Sequence, residues 1–420
     1  MSHRIRRAIS DDIPTIAEIG YEAFKVYGRP DIREHSQHIA ESSWSFFYMM
    51  EDEVGPVAQA MVLPHTIQVG KCTILKADVG HVAVRPERQG EGLGSHLMEE
   101  LMRLLPGEGF HCTRLGGLMK FYRRFGYEPF PRRYVQFEVQ PLDAELRGVR
   151  WAEKLGLSPE LQARVRPYDP HGDHAAVGEL LSQYNAGRPG RLVESRGTPA
   201  PEGTAPDPLT LVYEVEGVIR GYLQGNLGPV HAGQPPTYQV IDFALDYGYP
   251  EAGEALLKTF LRQAATVAPT TVTCRLPYEE RLFDLLNAAT LQFDVLEMRG
   301  GFDGNMMQVL DLAGMLQAIA PELSARLQAA GCCPWEGTLG LRIPRHEATL
   351  NICADTVTAG PAVLPGSPVI EITHATVLKW VLGLCGAAEF PHLMEHLAGP
   401  QRIVLSILFP RLPAASGVWG

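Results

Sequence analysis

A glycine-rich turn in the first part of the chain has the composition of a phosphate-binding loop. Residues Gln89–Gly94 read QGEGLG, follow an apolar run that ends at Val84, and open a segment with apolar residues at helical spacing. Such a turn directs free backbone N–H groups and the positive end of a helix dipole at an anion. Arg88 adds a positive charge, and Glu91 is expected to point to solvent. Alone, the pattern is weak, since many strand-to-helix turns contain spaced glycines.

An aromatic motif lies further along the chain, where residues 120–127 read KFYRRFGY. The phenol of Tyr122 can act as an acid toward a leaving group. The alternative is an aromatic side chain that packs under a sheet, which is the commonest position for an aromatic at helical spacing. The tyrosine alone does not separate the two interpretations.

In order and spacing, these two motifs resemble those of the GNAT superfamily of N-acetyltransferases, where V-x-V-x-P-x-x-R/Q-x-x-G-x-G/A precedes F/Y-Y-x-x-x-G-F/Y. The resemblance implies an acetyl-CoA site, in which strand backbone pairs with the pantetheine arm and the loop amides hold the pyrophosphate. It places Tyr122 near the sulfur, as the acid for the departing thiolate. The residues implied in coenzyme binding are Val82, Val84, Arg88, Gln89, Gly90, Gly92, Leu93 and Gly94.

The acceptor amine also needs a base. A primary amine such as that of lysine has a pKa of ~10.4 in water, so it is mostly protonated at neutral pH and must lose a proton before it attacks. Asp78 and His81 are candidates, and a water chain is another. The structural alternatives are an exposed strand edge for Asp78 and a packed core imidazole for His81.

A wider resemblance covers nearly the whole chain. Two GNAT units, of which the second is degenerate, followed by a unit similar to sterol carrier protein 2, resemble the enhanced intracellular survival acetyltransferases. That family acetylates amines of polycationic molecules such as aminoglycosides, forms hexamers and uses its C-terminal carboxylate as the base, which here implies Gly420. The chain departs from the family in its non-acidic ending, GVWG, and in having Gln89–Glu91 where an arginine run is usual. The stretches that match in the last third are VLDL, PEL, GTL and LFP, at 309–312, 321–323, 337–339 and 408–410.

The periodicity predicts an α+β fold. The resemblance implies that it consists of two tandem GNAT folds, each a mixed, mainly antiparallel sheet flanked by helices, and a sterol-carrier-like α+β domain. The predicted units are residues 1–140, 141–304 and 305–420. Strands are expected at 45–50, 57–63 and 72–84, and Tyr134–Val139 is expected to close the first unit. The second unit has DYGYPE at 246–251 in place of a glycine loop. The third is expected to open with two helices, at Leu310–Ile319 and Ala325–Ala330.

Composition limits the other classes of function. The formal charge of −11 favours a cationic small substrate over nucleic acid or an anionic membrane. Seven scattered cysteines indicate reduced thiols. The sequence contains neither a CxxC nor an HExxH motif, so no metal site is expected. With no apolar segment of spanning length, a cytoplasmic location is expected.

Two functions therefore compete. The first is an acetyl-CoA-dependent N-acetyltransferase that acts on a primary amine of a small cationic substrate, such as an aminoglycoside or a polyamine, in a homo-oligomer. The second is a non-catalytic protein that binds an apolar ligand in its sterol-carrier-like domain. The intact loop and Tyr122 together favour catalysis.

Overall fold

The structure, a computed structural model, describes most of the chain. Within the described residues there are two seven-stranded sheets, a four-stranded sheet and a two-stranded ribbon, with helices packed around them. This arrangement confirms the α+β class. The described residues are 3–28, 30–146, 148–193, 203–228, 237–265, 268–274, 280–289, 292–298 and 303–413.

The first part of the chain alternates strands and helices. Its elements are β1 (Arg4–Arg7), α1 (Ile13–Phe24), α2 (Ile32–Ser43), β2 (Phe47–Glu51), β3 (Pro56–Val69), β4 (Cys72–Val84), α3 (Leu93–Leu104), β5 (Cys112–Leu118), α4 (Met119–Tyr122), β6 (Glu128–Pro129) and β7 (Arg132–Val139).

The second part repeats much of that order. Its elements are β8 (Glu145–Leu146), β9 (Val149–Arg150), α5 (Trp151–Lys154), α6 (Pro159–Ala163), β10 (Val165–Pro167), α7 (His174–Tyr184), β11 (Thr210–Val215), β12 (Val218–Leu227), β13 (Thr237–Leu245), α8 (Glu251–Ala264), β14 (Thr270–Cys274), α9 (Glu280–Ala289) and β15 (Asp294–Met298).

The last part begins with a strand and ends with a helix. Its elements are β16 (Asp303–Val309), α10 (Leu312–Ala330), β17 (Gly337–Ile343), β18 (His346–Cys353), β19 (Thr356–Gly360), β20 (Val369–Glu371), α11 (His374–Val381) and α12 (Gly399–Leu408).

The first sheet has the strand order β1-β2-β3-β4-β5-β16-β6. Strands β1 to β4 pair antiparallel in sequence, whereas β4 and β5 are parallel. The three consecutive antiparallel strands predicted from the sequence are confirmed, although β3 extends further than expected, to Val69. Helix α3 packs against this sheet and buries the apolar stripe Leu97, Met98 and Leu101, as its periodicity predicts.

The two large sheets exchange one strand each, and this corrects the prediction for Tyr134–Val139. That segment lies in β7, which pairs with β14 and β15 in the second sheet. Its place in the first sheet, between β5 and β6, is taken by β16. An alternating apolar pattern identifies a strand but carries no information on which sheet edge the strand joins, because that choice depends on contacts distant in sequence.

The last part packs against the first sheet and shares a core with it. Ile67 and Val69 of β3, together with Phe130, belong to the same buried cluster as α10 and the four-stranded sheet β19-β18-β17-β20. The prediction of two helices at Leu310–Ile319 and Ala325–Ala330 is wrong, since α10 is one helix that contains Pro321. Its buried stripe continues on both sides of the proline, and this packing outweighs the hydrogen bond that proline removes.

Among the described helices, none combines the length and the apolar character that crossing a bilayer requires.

Candidate functional site

Strands β4 and β5 separate from each other before either one ends. Their parallel pairing covers only Lys76–Asp78 on β4 and Cys112–Arg114 on β5, although the strands continue to Val84 and Leu118. Beyond Asp78, the β5 side of β4 therefore has no strand partner in the described chain. Such an edge offers backbone donors and acceptors to an extended ligand. Val82 and Val84 both lie in this unpaired stretch.

A β-bulge bends β4 within the same stretch. Gln59 of β3 pairs with Ala83 and Met61 pairs with Gly80, so two β4 residues, His81 and Val82, oppose one β3 residue. His81 has a φ of 46°, a left-handed conformation that is uncommon for a residue with a side chain. Bulges and backbone strain of this kind concentrate next to functional sites, where they redirect backbone groups.

The glycine loop follows β4 and ends at the first residue of α3. Gly90 and Gly92 have φ values of 88° and 83°, which only glycine adopts without strain. Within the described chain, the backbone N–H groups from Gly90 to Gly94 have no hydrogen-bond partner. The dipole of α3 starts at the same point, so the loop has the free amides and the positive helix end that favour an anion.

Gln89 and Gly94 bring the loop into contact with the sheet. The Gln89 side-chain amide donates to the carbonyl of Val84, at 3.3 Å. A Cβ on Gly94 would lie 3.5 Å from Val84 and 3.7 Å from Phe121, so the helix begins in contact with both β4 and α4. The loop, the strand edge and the aromatic motif thus form one continuous surface.

Arg88 does not present a free charge to a ligand. Its Nη1 lies 2.6 Å from Asp52 Oδ2, and its Nε donates to Glu91 Oε1 at 2.9 Å. The hydrogen bond from Arg88 lowers the pKa of Asp52 to about 2. Glu91 is exposed to solvent, as expected, and the ion pair with Arg88 holds it at the surface. Glu91 lies three residues after Arg88, and this spacing could have predicted their ion pair. Asp52 is distant from Arg88 in the sequence, so no local pattern predicts that pair.

Tyr122 packs at the junction of these elements. Its ring meets Phe121 edge-on with centroids 4.9 Å apart, meets Tyr127 at 6.0 Å, and lies over Gly117, where a Cβ would be 3.1 Å from Tyr122 Cε2. Burial, with a smaller contribution from the exposed Tyr27, raises the pKa of Tyr122 to about 12. The phenol therefore keeps its proton at neutral pH. Among the described residues its hydroxyl has no hydrogen-bond partner.

The surroundings of both candidate bases on β4 limit their ability to accept a proton. Asp78 forms an ion pair with the fully buried Lys76, at 3.0 Å, and its Oδ2 lies 3.3 Å from His65 Nε2. His81 lies among the rings of Phe24, His35 and Phe47. Burial and, second, the charge of His35 lower the pKa of His81 to about 4, so this imidazole is neutral and weakly basic. The packed-imidazole alternative describes its environment well.

Gly420, the implied terminal base, lies outside the described residues. The described chain approaches its end with Leu412, whose N–H donates to the carbonyl of Gly383 at 2.8 Å. Across the described residues, no three His, Cys, Asp or Glu side chains are grouped as a metal site.

Comparison with known proteins identifies the first domain. Residues 4–130 match the family model described as an acetyltransferase (GNAT) domain. No curated protein matches the chain in sequence.

Solved structures share the fold over almost the whole length. A GCN5-related N-acetyltransferase from Anabaena variabilis aligns with a TM-score of 0.68 at 12% identity, covering 99% of both chains. One from Kribbella flavida has a TM-score of 0.64 at 18% identity, covering 99% of this chain and 97% of its own. Eis1 from Mycobacterium abscessus has a TM-score of 0.59 at 15% identity, covering 99% of both chains.

At these identities the solved structures establish the fold, and the family match adds the activity. Residues 4–130 are thus a GNAT acetyltransferase domain, and this supports N-acetyltransferase activity for the chain.

Proposed function

We propose that the protein transfers an acetyl group from acetyl-CoA to a primary amine of a small cationic substrate, by direct attack in a ternary complex. The observation that carries the proposal is the continuity of two unsatisfied backbone surfaces. The unpaired edge of β4 leads directly into a loop whose amides, from Gly90 to Gly94, have no partner in the described chain. An extended arm that ends in a pyrophosphate complements both surfaces at once.

In this proposal, each predicted coenzyme residue has a defined part. The backbones of Val82 and Val84 pair with the pantetheine arm, and the amides of Gly90, Gly92, Leu93 and Gly94 bind the pyrophosphate. Gln89 ties the loop to the strand. Arg88 holds the loop through Asp52 and Glu91 and contributes little net charge, because those two carboxylates offset its own.

The reaction needs a donor near the sulfur. The amine nitrogen attacks the thioester carbon, a backbone N–H of the bulged strand steadies the carbonyl oxygen, and the carbon–sulfur bond breaks as the amide forms. Tyr122, protonated at neutral pH, donates a hydrogen bond to the departing thiolate. A thiol has a pKa of ~8.5, and the phenol of Tyr122 has a pKa of about 12 in the absence of the coenzyme. Complete transfer of the phenol proton to the thiolate is therefore uphill in that state. The proton lost by the amine balances the one that the thiolate gains.

For the base, we place the terminal carboxylate of Gly420 ahead of Asp78 and His81. The ion pair of Asp78 and the low basicity of His81 both argue against the β4 residues. A water molecule is the other candidate to accept the proton of the amine. Deleting residues 418–420 should lower turnover strongly while the Tm and the acetyl-CoA affinity stay unchanged. Full activity in the truncated protein would assign the base elsewhere.

The resemblance to the enhanced intracellular survival acetyltransferases extends the proposal to architecture. Residues 1–140 would be the catalytic GNAT unit, 141–304 a degenerate GNAT unit and 305–420 a sterol-carrier-like unit. The assembly would be a cytoplasmic homo-oligomer, with the hexamer of that family as the expected form. The two large sheets support this division by their matching strand orders.

The rival function, an apolar-ligand carrier, gains no support from the C-terminal part. Fully buried Trp380 and Phe409 help to fill its core. Of the pockets that border it within the described residues, two carry charged side chains beside apolar ones, with Arg345 in each.

An amine-dependent thiol-release assay tests the proposal. Acetyl-CoA should be consumed with aminoglycosides, polyamines or peptide amines, and acetyl-CoA should raise the Tm where a fatty acid does not. Stabilisation by the fatty acid alone, with no thiol released for any amine, would reject the acetyltransferase and support the carrier.

A further inference from the structure

A basic pocket of about 700 Å³ lies between the acetyltransferase domain and the C-terminal part. One wall is the segment after Tyr122, from Arg123 to Pro131. The other wall is the β17–β18 turn, with Arg345, and the start of α11, with His374. A pocket of this volume holds a metabolite-sized molecule.

The charges that line this pocket are mainly positive. Arg123, Arg124, Arg345 and Lys379 contribute four cationic groups, and Glu128 contributes one carboxylate. That carboxylate already accepts the N–H of Ala375, at 2.8 Å. In a chain with a formal charge of −11, such a cluster forms a local positive field that attracts anions.

Two of these arginine side chains have no protein partner within the described chain. Arg123 and Arg345 are exposed, and neither guanidinium makes a hydrogen bond or an ion pair there. Arg345 also has a φ of 70°, so the two-residue turn between β17 and β18 holds its side chain on a strained backbone. Guanidinium groups in such positions match the geometry of carboxylate and phosphate oxygens.

A buried donor lies in the same wall. His374 is 1% exposed, and its Nδ1 accepts the N–H of Val309 at 3.2 Å. An imidazole that accepts at Nδ1 while neutral must carry its proton on Nε2. Nε2 is buried and has no hydrogen-bond partner in the described chain. Burial, first, together with the charges of His346 and Arg345, lowers the pKa of His374 to about 4 against the opposing effects of Glu128 and the Pro344 carbonyl, so the ring is neutral at pH 7. Unsatisfied buried donors are rare and indicate a missing acceptor.

We propose that this pocket binds a small anion with a phosphate or carboxylate group, held by Arg123, Arg345 and the neighbouring cations, with a ligand oxygen as the acceptor for His374 Nε2. No step of the acetyl transfer is assigned to the site. The proposal rests on the proposed function only where the anion is a phosphate of the coenzyme.

The chemistry of the pocket allows two sources for the anion. Arg124 donates to Ser95 Oγ at 3.0 Å, and Ser95 lies in the first turn of α3, so the rim of the pocket adjoins the coenzyme loop. The anion is then either a phosphate of the coenzyme or a separate small metabolite.

Calorimetry on the full chain tests the site, with citrate and inorganic phosphate as probes. Asparagine tolerates left-handed backbone, so Arg345→Asn removes the charge at little conformational cost. We expect this variant, and separately Arg123→Gln, to weaken binding of at least one probe tenfold or more. The matched control is Arg402→Gln, an exposed arginine of α12 that does not line the pocket, and it should bind like the parent.

Absence of binding by both probes, or equal affinity in the parent and both pocket variants, would overturn the proposal. Repeating the citrate titration in saturating acetyl-CoA then distinguishes the sources. Competition would identify a coenzyme phosphate, and unchanged citrate affinity would identify a separate anion.

Discussion

The two seven-stranded sheets share a structural device at their first strand. In the first sheet, Arg6 of β1 contacts Asp12 at 2.6 and 2.9 Å and donates to Glu51 of β2. In the second, Arg166 of β10 contacts Asp173 at the same two distances and donates to Glu214 of β11. Each arginine ties the start of a helix to the neighbouring strand.

The likeness extends to the sheets themselves. Both have a bulge between the third and fourth strands of the order, at Gln59–Met61 in one and at Gln224–Gly225 in the other. In both sheets the fifth strand of the order is parallel to the fourth, and the sixth strand is the one exchanged with the other sheet. The backbone framework is therefore present twice.

The difference lies in the loop that follows the bulged strand. In the second sheet, Asp246 accepts the N–H groups of Gly248 and Tyr249, each at 2.9 Å, and Glu251 and Glu254 occupy the first turn of α8. These amides are satisfied within the loop, and the carboxylates repel an anion. The first loop leaves its amides without partners in the described chain. Under the proposed function, the loop, and not the sheet, distinguishes the unit that binds the coenzyme from the second unit.

The largest effect should come from separating the exchanged strands. A fragment of residues 1–140 lacks β16, and with it the fully buried Met306, Met307 and Val309. Burial of three such side chains contributes ~5–9 kcal/mol, which is comparable to the whole stability of a domain. We expect no cooperative thermal transition by circular dichroism, whereas the full chain melts cooperatively. A fragment that melts cooperatively would show that the exchange is not required.

Tyr122→Phe should lower turnover by ~10²–10⁴-fold, the usual range for loss of a positioned acid. The ring and its packing remain, so acetyl-CoA affinity should stay near that of the parent. Tyr238→Phe, at a half-buried tyrosine of the second sheet, is the control and should leave turnover unchanged. Equal rates in both variants would mean that Tyr122 serves packing only.

Gly92→Val should weaken acetyl-CoA binding tenfold or more, equivalent to ~1.4 kcal/mol. A β-branched residue at a φ of 83° distorts the loop whose amides are proposed to bind the pyrophosphate. Gly248→Val, in the corresponding loop of the second sheet, should leave binding intact. Calorimetry that finds the two variants equally affected would contradict the assignment of one coenzyme loop.

The smallest effect concerns the shared arginine device. Arg6→Gln should lower the free energy of unfolding by ~1 kcal/mol, and Arg166→Gln by less, because the Arg166 side chain is 39% exposed against 24% for Arg6. Arg6 lowers the pKa of Asp12, so this stabilisation is present above the unfolded pKa of ~3.9 and disappears as pH falls through the folded pKa. Chemical denaturation should show that Arg6→Gln lowers the free energy of unfolding less in acid than at pH 7. A penalty that persists in acid would exclude the ion pair as its source.

Local patterns in the sequence were enough to predict several elements of this protein. Apolar residues at helical spacing fixed α3, alternating apolar runs fixed β2 to β4, and the glycines of Gln89–Gly94 marked a turn that demands a positive φ. Each of these depends on neighbours in the chain, which is why spacing was enough to predict them.

Only the tertiary structure decided the arrangements that join distant segments. The exchange of β7 and β16 between sheets, the pairing of Arg88 with Asp52, the ion pair of Asp78 and the continuity of α10 through Pro321 all depend on packing across the fold. A strand pattern is compatible with any open sheet edge, and a charged side chain with any opposite charge within reach. Contacts between residues far apart in sequence select among those options, and no local pattern encodes them.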